Sequence, residues 1–333
     1  MTLSILIVNW NSQSYLRQCL GSIRRTCAGL APQVVVVDGG SYDGCAEMLA
    51  LEFPEVVFVQ SPENIGFGRA NNVGFVKATG EALLLLNPDT EVQPGAVECL
   101  LDKLSQLPEA GMVGARLLNA DASLQLTSVH HLPTAWNAAV DSEWVRRRWW
   151  RRKGPTPDAT AQEVEAVSGA CMMLRAETFR GLSGFDPRYF MYAEDMDLCF
   201  KIRRAGWKIY HVPRAQVIHY GGGSSRTQFS KFSVVMLHEA LRVYILSNYG
   251  RFHALLYRLL MAISAALRIL ILFMSRFLTT GDSRVTRWAS ITKWWTVLSW
   301  SMGMETWTRR WYGYHNAPLA ITALKGGQKT HVR

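Results

Sequence analysis

Four consecutive leucines, Leu83-Leu84-Leu85-Leu86, stop at Asn87-Pro88-Asp89-Thr90, and this junction constrains the chain more than any other stretch. A short segment that is apolar at every position has no wet face to offer, so it predicts a strand buried on both sides, as in the middle of a parallel sheet. Pro88 has no N–H for a ladder and must end the strand. Asp89 then stands at the carboxyl end of a central strand, where open α/β sheets bind their ligands. A carboxylate there is a hard oxygen ligand for Mg2+ or Mn2+ when substrate phosphates supply the remaining ligands. Taken by itself, Asn-Pro-Asp-Thr is equally well a turn leading to a helix cap.

The flanking sequence supports the sheet. Residues 3–8 read as a first strand ending in Asn9-Trp10-Asn11-Ser12, followed by Tyr15, Leu16, Cys19, Leu20 and Ile23 at helical spacing. Residues 34–37 form a second strand closed by Asp38-Gly39-Gly40-Ser41-Tyr42-Asp43-Gly44, and residues 56–59 a third. Asn64-Ile65-Gly66-Phe67-Gly68-Arg69-Ala70-Asn71-Asn72 is a glycine-containing turn that enters a helix. Strands alternating with helical segments predict βαβ units with right-handed crossovers. Asp38, at a strand end, can accept from a pyrimidine ring N–H or a ribose hydroxyl, or can simply cap the next helix. Arg69 suits a diphosphate, or a solvated helix surface. The chain carries neither G-x-G-x-x-G after the first strand nor G-x-x-x-x-G-K-[ST], which argues against a dinucleotide dehydrogenase or a P-loop enzyme.

Beyond the central strand, residues 112–118 predict another strand, and a polar connection runs to about residue 161. Within it, residues 144–153 hold six basic residues and three tryptophans, a density of charge that a buried helix does not accept. They suit a loop over the site, a membrane contact or a solvated basic loop. Residues 164–174 return to the core. Glu194, Asp195 and Asp197 then fall in the first turn of a helix that ends near Gly206. Acids favour a helix N-terminus, but three exceed what the macrodipole needs, and one at a cleft rim can serve as a general base. Residues 207–212 make one more strand. Residues 215–220 bring His219 to the turn Gly221-Gly222-Gly223-Ser224-Ser225, where it can meet a metal or phosphate or stay structural.

The charge is unevenly placed. The 333 residues carry a formal +10 and are 49% hydrophobic, which excludes a disordered chain. From Gly222 onward there are 15 Lys and Arg against 3 Asp and Glu, a balance of +12, so the first 221 residues are close to neutral. A basic segment rich in Trp, Leu and Ile suits an anionic membrane surface better than nucleic acid. In that tail, residues 255–278 are strongly apolar but interrupted by Arg258, Arg268 and Arg276, which favours a helix lying in the interface over a span. Trp288, Trp294, Trp295, Trp300, Trp307 and Trp311 fit the same headgroup level, and a packed helical domain or an oligomer interface is the other reading. Cys19, Cys27, Cys45, Cys99, Cys171 and Cys199 show no metal spacing and read as buried thiols in a reducing compartment. Residues 3–8 are too short for a secretion signal, so the expected location is inside the cell.

In matching order, Ile7-Val8-Asn9-Trp10-Asn11, residues 37–44, residues 64–72, Asn87-Pro88-Asp89-Thr90, Ser168-Gly169-Ala170, Gly184-Phe185-Asp186, residues 194–199 and His219 resemble a glycosyltransferase family 2 catalytic domain of the bacterial rhamnosyltransferase-like branch. The resemblance covers residues 3 to about 225 and implies the GT-A fold, Rossmann-like with a mostly parallel central sheet and flanking helices. The remainder, 226–333, is a helical, membrane-associating tail that could also carry a homo-oligomer contact. The resemblance further implies inverting transfer from a nucleotide-diphosphate sugar, possible rhamnose among the sugars, to a lipid-linked glycan at the cytoplasmic face of the inner membrane. Asp38 would hold the base, with Val8 and Trp10 lining its pocket and Asn64, Arg69 and Asn87 completing the donor site. Asp89 and His219 would meet the cation, Mg2+ or Mn2+. Asp195, with Glu194 beside it, would be the base. Gly39 stands where the family commonly has Asn and Tyr42 where it has Thr, which leaves uridine and deoxythymidine both open. Asp89 is also a single carboxylate, not the pair of an Asp-x-Asp. A catalytically inactive nucleotide-binding scaffold is the alternative.

Overall fold

The computed structural model describes residues 1–140, 161–221, 230–274 and 283–308, apart from the side chains of 283–287. The basic stretch 144–153, residues 222–225 of the glycine turn, Arg276 and Trp311 lie outside the described residues.

The expected alternation is present. Strands β1 (Leu3–Asn9), β2 (Gln33–Asp38), β3 (Val57–Gln60) and β4 (Ala82–Leu86) are separated by helices α1 (Gln13–Thr26), α2 (Cys45–Glu52) and α3 (Phe67–Phe75). All five residues of β4 are buried, as an all-apolar strand requires. β5 (Thr90–Val92), α4 (Ala96–Gln106) and β6 (Ala110–Leu118) follow. Then come β7 (Val129–His130), α5 (Ala135–Val140), β8 (Gln162–Val164), β9 (Ala166–Val167), β10 (Cys171–Arg175), α6 (Ala176–Gly181), α7 (Glu194–Arg204) and β11 (Lys208–His219).

Among the described residues one sheet runs β3-β2-β1-β4-β10-β6-β11-β5, with β8 paired to β11, and β7-β9 form a small second sheet. It is parallel from β3 to β4, where the sequence alternates. Beyond β4 it is mixed, because β10 runs antiparallel to both β4 and β6. Two details differ from the sequence reading. Residues 164–174 divide among three short strands, and the segments around 207–212 and 215–220 are one strand. β11 passes Pro213 through a shift of register between Val212 and Gln216, which accommodates a residue that cannot donate to the ladder.

Two apolar layers cover the sheet. Leu84, Leu86 and Ile7 face Leu16, Leu20 and Leu100, while Leu83 and Leu85 face Phe179, Phe185 and Leu198. A third core joins the tail to the rest. Helices α8 (Lys231–Tyr249), α9 (Arg251–Met274) and α10 (Ser283–Ser301) bury Val235, Tyr244, Tyr257, Met261 and Trp300 together with Tyr189 and Ala193, just ahead of α7, and Ala135 and Ala139 of α5. The composition break near residue 225 therefore does not coincide with a break in packing.

Candidate active site

The carboxyl ends of β1, β2 and β4 deliver the expected residues to one rim. Trp10 is 52% exposed there. Gly39 packs beside it: a Cβ on Gly39 would lie 3.4 Å from Trp10 Cδ1 and from Asn64 Cα. The Asn64 Oδ1 accepts from Gly66 N–H at 2.9 Å, an Asx turn that opens α3. Val8 is half-buried against the inner apolar layer.

Asp38, the expected contact of the donor base, is bonded within the chain. Its side chain is fully buried and its carboxylate is occupied from within the chain. Ser41 Oγ donates at 2.6 Å, Ser41 N at 2.8 Å, Asn9 Nδ2 at 2.9 Å and Cys45 Sγ at 3.2 Å. Burial opposes its ionised form, but the bonds from Ser41, Asn9 and Cys45 outweigh it and hold the carboxyl below the usual range. Asp38 thus ties the loop after β2 to the end of β1. Of the residues beside that loop Trp10 is exposed, Asn64 half-buried and Gly39 buried.

Arg69 is also engaged. Its Nε and Nη2 donate to the Pro187 carbonyl at 2.9 and 2.7 Å. Asn72 exchanges two hydrogen bonds with the Phe185 backbone, at 2.8 and 2.9 Å, and Phe67 N–H donates to the Phe190 carbonyl at 3.1 Å. The residues after Asn64 therefore clamp α3 to the loop that precedes α7.

Asp89 and His219 meet where β5 and β11 pair. Their Oδ1 and Nε2 stand 3.3 Å apart with both side chains mostly buried. His219 Nδ1 faces Gln125 Oε1 at 2.7 Å; a proton on Nδ1 in that bond would leave the Nε2 lone pair facing Asp89. Two acceptors so close want a cation between them. Neighbouring ligands of an octahedral Mg2+ or Mn2+ stand about 3 Å apart, so the pair fits such an ion. Among the described residues no group of three His, Cys, Asp or Glu could hold a metal. Asp89 and His219 would supply two ligands to such an ion, leaving the other positions to phosphate and water, as Mg2+ sites commonly do.

The three acids at the start of α7 divide. Asp195 is half-buried and accepts from Gly169 N–H at 2.9 Å through Oδ2 and from Met196 N–H at 2.8 Å through Oδ1. Asp197 points the other way and is 1% exposed. It takes Tyr189 Oη and Asn248 Nδ2, each at 3.2 Å, and pairs with Lys201 Nζ at 2.6 Å. Glu194, expected beside Asp195 in the same role, turns into the protein. Burial, and then the Asp195 charge, push its carboxyl up to about 8. The turn that produces this division is strained: Tyr192 and Ala193 hold φ of 67° and 59°, left-handed values that non-glycine residues rarely adopt.

A chain of contacts links Asp195 to the Asp89–His219 pair. Asp195 is held by Gly169, Ala170 O accepts from Asn87 N–H at 3.0 Å, and Asn87 Nδ2 lies 3.4 Å from His219 Nε2. Trp10, Asn64, Asn87, Asp89, His219 and Asp195 thus share one end of the sheet. The sequence reading missed Gln125, in a polar connection without periodicity, and it noted Gly169 within Ser168-Gly169-Ala170 without a role, because Gly169 acts through its backbone.

The mixed α/β sheet has the GT-A arrangement, with the mostly buried Asp89–His219 pair and Asp195 at one end. The glycosyl transferase family 2 model matches residues 4–182, and the chain belongs to that family. It is 30% identical over 242 residues to N-acetylglucosaminyl-diphospho-decaprenol L-rhamnosyltransferase of Mycobacterium tuberculosis, spanning 67% of this chain and 77% of that one. It is 41% identical over 173 residues to a rhamnosyltransferase of Escherichia coli, spanning 50% of this chain and 65% of that one. The fold is similar to a mannosyltransferase from Pyrobaculum calidifontis solved with GDP-Man and Mn2+, with a TM-score of 0.57, 15% identity and coverage of 92% and 87%. The chain is a glycosyltransferase of glycan synthesis, similar to the rhamnosyltransferases.

Proposed function

We propose that this enzyme carries out inverting transfer of a sugar, rhamnose being the one its relatives' names point to, from a dTDP- or UDP-sugar to a hydroxyl of a lipid-linked glycan at a membrane surface. The observation that carries the reading is the contact chain from Asp195 through Gly169, Ala170 and Asn87 to His219 and Asp89. It supports a reading in which Asp195 serves as base beside an anion-stabilising pair at the same end of the sheet.

The donor base lies on the exposed Trp10 ring, bounded by Gly39 and Asn64. The diphosphate runs toward Asp89 and His219. Asp89 and His219 would hold a divalent cation, which when bound would supply Lewis-acid stabilisation of the charge on the leaving diphosphate. Asp195 removes the proton of the acceptor hydroxyl as that oxygen attacks the anomeric carbon from the side opposite the diphosphate. Gly169 N–H holds the carboxylate in place throughout. Backside attack turns the configuration over. The decaprenol-linked substrate named for the mycobacterial relative and the apolar tail both support a lipid-linked acceptor.

The test is calorimetric titration with UDP and dTDP, each with and without Mn2+, on the wild type and on Asp89→Ala. Mn2+-dependent binding of one nucleotide that weakens at least about tenfold in the variant is the expected result, in line with loss of a metal ligand. Absence of binding to either nucleotide by folded protein would overturn the donor site.

A further inference from the structure

Arg251–Met274 is long and apolar enough to cross a membrane, the one such helix among the described residues, yet the structure gives it two unlike faces. Ala254, Tyr257, Met261 and Ala265 are at most 5% exposed, packed among α5, α8 and α10. On the opposite side Phe252, Leu255, Leu259, Ile263, Leu267 and Leu270 are each 49% exposed or more. Their spacing of three and four residues draws a single stripe along the helix, about 36 Å for its 24 residues.

Arg258 and Arg268, which interrupt the apolar sequence, do not interrupt this stripe. Arg258 turns inward, donates to the carbonyls of Ser301 and Trp300 at 3.1 Å, and so caps the end of α10. Arg268 lies over the Trp294 ring, 4.2 Å from its centroid. The outward stripe is left without a charge. On α10, Trp288 and Trp295, seven residues apart and therefore on one face, are 67% and 61% exposed.

We infer that the outer stripe of α9 lies in the plane of an anionic bilayer, sunk to headgroup depth, and that α9 does not span. This deepens the proposed transfer to a lipid-linked acceptor and rests on it. A span presents lipid-compatible surface all round, whereas half of α9 is committed to neighbours that carry His238, Glu239 and Arg242. One apolar stripe, with exposed tryptophans on the neighbouring helix, on a segment of charge +12 is the pattern of an interfacial helix. The same charge argues against a second copy as occupant, since pairing two such tails brings like charges together.

The position of α9 adds a consequence. The core behind it holds Tyr189 and Ala193, and Asn248 of α8 bonds Asp197 two residues from Asp195. The foot on the membrane and the helix bearing the base are one packed unit, so docking sets the height at which Asp195 meets an acceptor anchored in the same bilayer.

The test uses full-length protein with vesicles of pure phosphatidylcholine and of seven parts phosphatidylcholine to three of phosphatidylglycerol. Wild type is expected to co-sediment with the anionic vesicles and to be released by alkaline carbonate. Leu259→Glu with Leu267→Glu should lower the partition coefficient at least about tenfold. The milder Leu259→Gln with Leu267→Gln should lower it less, with an unchanged melting temperature. Retention through carbonate would show a span and overturn the inference, as would equal partitioning of the variants. A wild-type dimer that the substitutions split, with vesicle binding intact, would assign the stripe to self-association and overturn it equally. Binding of UDP and dTDP, measured on the same samples, reports on the donor site independently, so a failure of the transferase reading is seen apart from a failure here.

Discussion

At the residue scale, neighbouring carboxylates at the start of α7 behave differently because the backbone aims them at different surroundings. Asp195 faces a backbone donor at the rim, while Glu194 sits where water does not reach. An unfolded glutamate titrates near pH 4.3, and this one is held to about 8 in the fold. Between those values the folded state keeps a proton that the unfolded chain has lost, so the contribution of Glu194 to stability falls as pH rises through the window. Glu194→Gln keeps the shape and removes the titration. The difference in melting temperature, variant minus wild type, should rise by at least about 2 °C from pH 5 to pH 8 in scanning calorimetry. Parallel curves would mean that Glu194 is ionised in the fold. The sequence shows three acids in a row of four but not which one reaches the cleft; that depends on the left-handed turn at Tyr192 and Ala193, which no local pattern announces.

At the element scale, the stretch beginning at Asn64 is conspicuous in the sequence, and its glycines suggest an amide cradle for phosphate. The structure gives them another task. Gly66 has φ of 84°, and a Cβ there would collide with the Phe190 carbonyl. Arg69, Asn72 and Phe67 bond the same loop through Pro187, Phe185 and Phe190. α3 is a clamp on the loop that leads into α7. Gly66→Ala should therefore cost roughly 1–3 kcal/mol for the left-handed backbone alone. Because the displaced loop carries Asp195, turnover should fall further than nucleotide affinity. Melting curves together with separate measurement of kcat and of UDP or dTDP affinity check this; equal losses in both would point to the donor pocket. Strands β1 to β4 were legible because each is a short apolar run with a polar stop. The three strands within 162–175 were not, since two or three residues carry no period.

At the scale of the whole molecule, composition divides the chain near residue 225, and the change from neutral to strongly basic suggests a catalytic unit with an appendage. The packing does not follow that division. Phe200 of α7 lies edge-on to Tyr244 and Tyr249 of α8, and Asp197 bonds Asn248 across 51 positions of sequence. Contacts between residues so far apart leave no trace in periodicity or motif, which is why the tail's share in the site was not visible beforehand. Removing it would strip the cover from Tyr189, Ala193 and Phe200, and would leave the nearly buried Asp197 without Asn248. Burying an aromatic side chain contributes about 1.5–3 kcal/mol, and a domain is stable by only about 5–15, so losing several such contacts at once consumes most of that margin. A fragment of residues 1–221 should therefore lack a cooperative melting transition and should expose apolar surface to a hydrophobic dye. It should also fail to bind UDP or dTDP with the affinity of the full chain. If the fragment melts cooperatively and binds nucleotide normally, the third core is an addition to a self-sufficient fold, and the coupling between membrane foot and base helix loses its structural ground.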